Sequence, residues 1–145
     1  MGAPAEPSAD TPASPSDVLL PYRSLNAVAP IEAAIGSASR ALGMLATVLG
    51  RFADAVSHYD EALRMNTSIG ARPWVAHTEH DYARMLVSRG EPGDRERALE
   101  LTRRSLERYR SLGMDSFATA AMQLERALGT AGESVSRNVS PTRHL

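Results

Sequence analysis

Apolar residues in the middle of the chain recur every three or four positions, and glycines interrupt them at regular intervals. This spacing predicts amphipathic helix throughout and needs no strand. Ala38, Leu42, Leu45 and Leu49 form a first stripe, which Gly50 ends as a left-handed cap. Phe52, Ala55, Tyr59, Ala62 and Ile69 form a second, widened by Val56 and Leu63 and stopped by Gly70. With so short a link between them, the two helices are predicted to be antiparallel neighbours. Pro73 suits the first turn of a third helix, whose face is Val75, Thr78, Tyr82, Met85 and Leu86 before Gly90. Glu91-Pro92-Gly93-Asp94 reads as a turn with Asp94 as the N-cap of a fourth helix. That helix carries Ala98, Leu101, Leu106, Tyr109 and Leu112, has Arg108 and Arg110 in its last turn where the helix dipole favours cations, and stops at Gly113. A fifth, capped by Asp115, presents Phe117, Ala121, Leu124 and Leu128 and is expected to close at Gly129.

The flanks differ in character. Residues 1–17 hold Pro4, Pro7, Pro12 and Pro15 among alanine, serine and acidic residues, too little apolar surface to offset the entropy of ordering. They are expected to be a disordered tail, and residues 130–145 a flexible one. Residues 18–36 show no clear period between Pro21 and Pro30 and read as an extended lead-in, with Ile31 to Gly36 extending the first helix. The helical domain is placed at 37–129.

The second and fourth helices superpose at an offset of 43 positions, pairing Ala55 with Ala98, Tyr59 with Thr102, Ala62 with Ser105, Leu63 with Leu106, Ile69 with Leu112 and Gly70 with Gly113. Self-similarity at such a period is the signature of a solenoid. Small residues seven positions apart let a neighbouring helix approach closely.

Leu42-Gly43, Gly50, Ala55, Tyr59 and Ala62 fall at the spacing of the tetratricopeptide consensus, which the chain resembles well in one repeat. A second repeat follows with Tyr82-Ala83, Gly90, an inserted Glu91-Pro92-Gly93, then Ala98, Thr102 and Ser105. The resemblance implies an all-α fold of antiparallel helix hairpins in a superhelix, about five helices in all. More narrowly, Leu45 to Phe52, Gly70 to Trp74 with Ala76-His77-Thr78, Asp81 to Leu86, and Gly93 to Leu99 are similar to the helical C-terminal region of actinobacterial ATPase regulators of the LuxR and cyclase-like types. The phosphate loop, cyclase aspartates and helix-turn-helix of those proteins are not in this sequence.

Composition narrows the function. The 145 residues fit one domain, and 16 basic against 17 acidic residues give a net charge of -1, with no overall field to attract nucleic acid or anionic membrane. The absence of cysteine excludes disulfides, thiolate metal sites and thiol catalysis. Every basic residue is arginine, a bias expected of a GC-rich bacterial genome. Residues Met1 to Pro15 do not read as a signal peptide, and no stretch approaches the roughly 20 apolar residues of a membrane helix. A soluble, cytoplasmic protein is expected.

Chemistry is sparse. His77, His80 and Asp81, with His58, contain the residue types of a metal site, but nothing in the sequence places His58 beside the others, and solvent-facing or groove-lining roles are the plainer reading. No nucleophile elbow is present, so no catalytic residue, metal or cofactor is assigned. The fourth helix holds Arg95, Arg97, Arg103, Arg104, Arg108 and Arg110, a conceivable nucleic-acid surface, interleaved with Glu96, Glu100 and Glu107. Trp74 reads as a packing anchor, and the sequons at Asn66 and Asn138 as chance matches.

In tetratricopeptide arrays the first helix of each hairpin lines the concave surface. That resemblance implies a partner groove of Arg40, Met44, Thr47, His77, His80, Arg84 and Ser88, with Ser37 at its edge. The family's carboxylate clamp uses lysine and asparagine at several of these places, which this chain lacks. Two arginines, two histidines and a methionine suit an acidic or extended peptide. With so few repeats, where about three are usually needed, self-association through an end helix or docking onto a larger protein is also expected.

Overall fold

The computed structural model describes residues 14–28 and 34–137. The chain is all-α in its body. Helix α1 (Pro15–Leu19) leads through a single 3-10 turn (Leu20–Tyr22) to a two-stranded antiparallel ribbon, β1 (Asn26–Val28) and β2 (Ala34–Ser37). Five helices follow: α2 (Ala38–Val48), α3 (Phe52–Ser68), α4 (Arg72–Arg89), α5 (Asp94–Ser111) and α6 (Asp115–Arg137). Each of these packs against its successor, and α2 also touches α4. The result is two stacked hairpins, α2–α3 and α4–α5, closed by α6.

The predicted stripes form the core. Leu42, Ala55, Ala62, Met85, Ala98, Leu101 and Ala121 are fully buried. The hairpins repeat in detail: Ala55 and Ala98, Tyr59 and Thr102, and Ala62 and Ser105 are all buried at equivalent places. So are the ends of their second helices. Gly70 (φ 69°) and Gly113 (φ 68°) both sit in the left-handed region that glycine adopts without a Cβ penalty. In both, the amide one residue later donates back to a buried helical carbonyl, Ala71 to Asn66 and Met114 to Tyr109, each at 2.9 Å.

Close approach within the first hairpin depends on Gly43. A Cβ there would lie 2.8 Å from Cε1 of Tyr59, a ring that is 1% exposed and stacks on Tyr82 at 5.3 Å. At the equivalent places of the second hairpin the sizes trade, with buried Ala83 and Thr102 in place of glycine and tyrosine. Between hairpins, fully buried Asn66 donates to Thr78 Oγ1 at 3.3 Å, so the asparagine of the first sequon faces the core. Asn138 lies outside the described residues.

Several expectations are corrected. Pro15–Leu19 is helical, held by a capping box in which Ser14 and Asp17 satisfy each other's backbone amides. Ala34–Gly36 belongs to a strand paired in register Asn26 to Ser37 and Val28 to Ala34, and does not extend the first helix. Helix α6 passes through Gly129 to Arg137, because helical residues on both sides outweigh one glycine's cost of about 1 kcal/mol. Asp94 is the first helical residue and not the cap; that place is taken by Gly93 at φ 87°. Its carboxylate instead receives both Nε (2.8 Å) and a terminal nitrogen (2.6 Å) of Arg89, and the Glu91 amide (3.0 Å). Leu49 and Ile69, expected on the apolar stripes, are more than half exposed because each occupies a C-cap, where the helical phase is lost.

Candidate protein-binding groove

The first helices of the hairpins, α2 and α4, together with α6, line one face of the stack. Met44, Thr47 and Val48 from α2, Asp81, Arg84, Val87 and Ser88 from α4, and Leu124 from α6 surround an open hollow of about 350 Å³, with Tyr59 and Met85 at its floor. Four of the residues expected in the groove, Met44, Thr47, Arg84 and Ser88, therefore meet at one place. Helical spacing explains why: Met44 with Val48 and Arg84 with Ser88 are each one turn apart.

Thr47 Oγ1 is 3.5 Å from the Tyr59 hydroxyl and donates to the Gly43 carbonyl at 2.8 Å. Met44, Val48 and Val87 are 43%, 85% and 47% exposed, an unusual apolar showing on a face that also carries charge. Arg84 supplies that charge, and among the described residues it is paired with no carboxylate.

Arg40 behaves differently. Its guanidinium grips Asp81 across the two hairpins, Nε at 2.7 Å and a terminal nitrogen at 2.6 Å, and lies over the Trp74 ring at 5.8 Å. It positions α2 against α4 and neutralises Asp81. Ser37 is 2% exposed and caps α2 by accepting from the Ser39 amide at 3.2 Å.

His77 and His80 sit apart from the hollow in an aromatic cluster at the start of α6. His77 Nδ1 bonds the Tyr109 hydroxyl at 2.8 Å, and its ring meets Phe117 edge-on at 4.6 Å and Trp74 at 5.3 Å. His80 lies edge-on to Tyr109 at 6.4 Å, with its buried Nδ1 unpartnered among the described residues. Burial lowers the pKa of both below the ordinary histidine value, Arg40 adding to the effect on His77. Burial also raises the Tyr109 hydroxyl well above the usual tyrosine range. His58 lies elsewhere, with Asp17, Arg23, Arg51 and Asp54 around a separate hollow between α1 and α3. Among the described residues no three histidine or carboxylate side chains gather as a metal site requires.

The arginines of α5 are largely occupied. Arg97 and Arg104 both pair with Glu100, Arg103 with Glu125 and Arg108 with buried Glu79, while Arg95 donates to the Leu128 carbonyl. Arg110 donates to the sulfur of Met122. Paired guanidinium groups release few counterions on meeting a phosphate backbone, so the four paired arginines offer little of the free charge that drives such binding.

The family model described as tetratricopeptide repeat matches residues 34–111, more than half of the chain. The chain belongs to the tetratricopeptide repeat family. Comparisons with curated proteins and with solved structures return no match. Tetratricopeptide repeats generally mediate protein–protein interaction, and their typical role is that of a non-catalytic scaffold. Among the described residues no helix of this tetratricopeptide protein is long and apolar enough to cross a membrane.

Local sequence patterns do not reveal Val48 and Val87 as members of the groove. Val48 and Val87 are ordinary apolar residues at the edge of their stripes, and only the packing of α2 beside α4 shows that they face outward together. Leu124 was legible as an apolar residue of the last helix, but not as a wall of the hollow.

Proposed function

We propose that this tetratricopeptide protein is a non-catalytic binding module that holds a segment of a protein partner in the hollow between α2, α4 and α6. The observation that carries the reading is the meeting of exposed Met44, Val48 and Val87 with unpaired Arg84 on a preformed surface. A rigid groove spares the ordering cost on its own side, so partner affinity draws on apolar burial and one charge-assisted contact. The partner segment is acidic at the position facing Arg84, because the neighbouring Asp81 is already neutralised by Arg40. The runs that resemble those of bacterial ATPase regulators are the ground for reading a cytoplasmic signalling setting.

The test compares native-cell pull-downs with the wild-type chain, Arg84→Glu on the inner face and Glu107→Arg on the outer face. Both substitutions are at exposed sites. The expected result is a partner retained by wild type and Glu107→Arg and lost with Arg84→Glu, while all three melt alike. A partner lost with Glu107→Arg and kept with Arg84→Glu refutes the reading.

A further inference from the structure

Beside the hollow, on the far side of Val87 and Leu124, the structure holds a second depression of about 360 Å³. Its floor is Leu86, Val87, Leu124, Ala127 and Leu128, where the end of α4 and the middle of α6 diverge above the α4–α5 turn. The volume falls in the range of sites that bury a small ligand or a few side chains.

The carboxylates on its rim are paired internally, and its second arginine is turned onto a backbone carbonyl. Asp94 is held by two nitrogens of Arg89, Glu91 lies 3.4 Å from that same guanidinium, and Arg95 Nε donates to the Leu128 carbonyl at 3.0 Å. What the notch offers a ligand is therefore apolar surface. It shares Val87 and Leu124 with the hollow that contains Arg84, so the two form one continuous surface. Arg84 and Val87 are separated by about one helical turn, roughly 5 Å along α4. An extended peptide covers that distance in about two residues at roughly 3.3 Å each.

We propose that the notch is a second subsite, which takes one or two large apolar side chains of a peptide whose carboxylate, about two residues away, pairs with Arg84. The proposal rests on the groove reading above and adds the spacing and chemistry of its ligand. Charge complementarity selects this occupant: Arg84, which has no carboxylate partner among the described residues, stands beside an apolar floor whose acidic neighbours Glu91 and Asp94 are held by Arg89, and this matches a short acidic-then-apolar motif.

The experiment uses the full chain and a synthetic array of labelled ten-residue peptides, each with one aspartate and one leucine pair at every separation from one to five residues in a Gly/Ser background. Binding is read by fluorescence anisotropy against wild type, Arg84→Glu and Ala127→Glu. Ala127 is exposed, and glutamate keeps the helix while placing a charge in the notch. The expected result is a preference for the separations of one to three, weakened about tenfold or more by Ala127→Glu, and equally by replacing the leucines with serine. Arg84→Glu weakens the same peptides, and Ala127→Glu leaves leucine-free peptides unchanged.

Binding that Arg84→Glu removes and Ala127→Glu leaves intact overturns the notch and keeps the groove. Binding indifferent to both substitutions overturns both readings. An array with no bound member overturns the notch proposal, while the pull-down comparison judges the groove on its own. A dimer in light scattering that Ala127→Glu dissolves assigns the notch to a second copy of the chain and overturns the peptide occupant.

Discussion

Replacing Gly43 with alanine tests the mechanism of hairpin packing at its tightest point. In a solvated helix the change would gain about 1 kcal/mol, because glycine loses more backbone entropy than alanine on folding. Here the added methyl lies 2.8, 2.9 and 3.0 Å from Cε1, Cδ1 and Cζ of Tyr59. That ring is 1% exposed and backed by Tyr82, so it has little room to retreat. Overpacking of this kind costs about 1–3 kcal/mol, which cancels or exceeds the gain and leaves Gly43→Ala up to about 2 kcal/mol less stable. The second hairpin shows the remedy, since Ala83 stands where Thr102 replaces the tyrosine. In a Tyr59→Thr background the clash disappears, and Gly43→Ala is expected to stabilise by about 1 kcal/mol. Tyr59→Thr is costly alone, but only the difference between backgrounds matters. Urea unfolding followed by far-UV circular dichroism, in the four combinations, gives the coupling directly. A coupling below about 0.5 kcal/mol, within the additivity of independent sites, refutes the argument.

Other outcomes follow from the same contacts. Below their ordinary value of 6.5, His77 and His80 resist protonation in the fold while the unfolded chain takes up protons, so the melting temperature falls from about pH 7 toward about pH 5. His80→Phe, which removes an unpartnered buried nitrogen, makes that slope shallower. Asp94, whose pKa the Arg89 contact lowers, contributes stability that is present above the unfolded carboxylate value and lost as pH falls through the folded one. Asp94→Asn accordingly costs about 2 kcal/mol in neutral urea melts and much less in acid. Gly129→Ala, where an added Cβ meets nothing within 4 Å, stabilises α6 by about 0.5–1 kcal/mol in the same assay. Because four of the α5 arginines, Arg97, Arg103, Arg104 and Arg108, are paired with carboxylates, only weak retention on DNA is expected even at low salt, and a strong, steeply salt-dependent retention refutes that account.

The parts of the fold legible in the sequence are those set by local spacing. The Ala55 and Ala98 helices are readable because a buried helix face and a left-handed glycine stop are both short-range signals. The ribbon that ends at Ser37 leaves no such signal, because its strands are three and four residues long and lack the alternation that marks longer ones. The end of α6 is not legible, because Gly129 looks like a stop and yet the residues beyond it continue the helix. Repeat position puts Met44, Thr47, Arg84 and Ser88 together, and they do line one hollow, but it does not reveal that Arg40 is engaged elsewhere. Its exposure depends on Asp81, a partner 41 residues away that no local pattern reveals. His77 and His80 likewise depend on Tyr109 and Phe117, brought in by the second helix of their own hairpin and by α6.

The claim that the inner face of the stack receives the partner is tested most directly by photo-crosslinking in the cell. A crosslinking side chain at Ser88, on the inner face, is compared with one at Glu107, exposed on α5. The groove account predicts a discrete crosslinked protein from Ser88, reduced by Arg84→Glu, and none from Glu107; crosslinks from Glu107 alone contradict it.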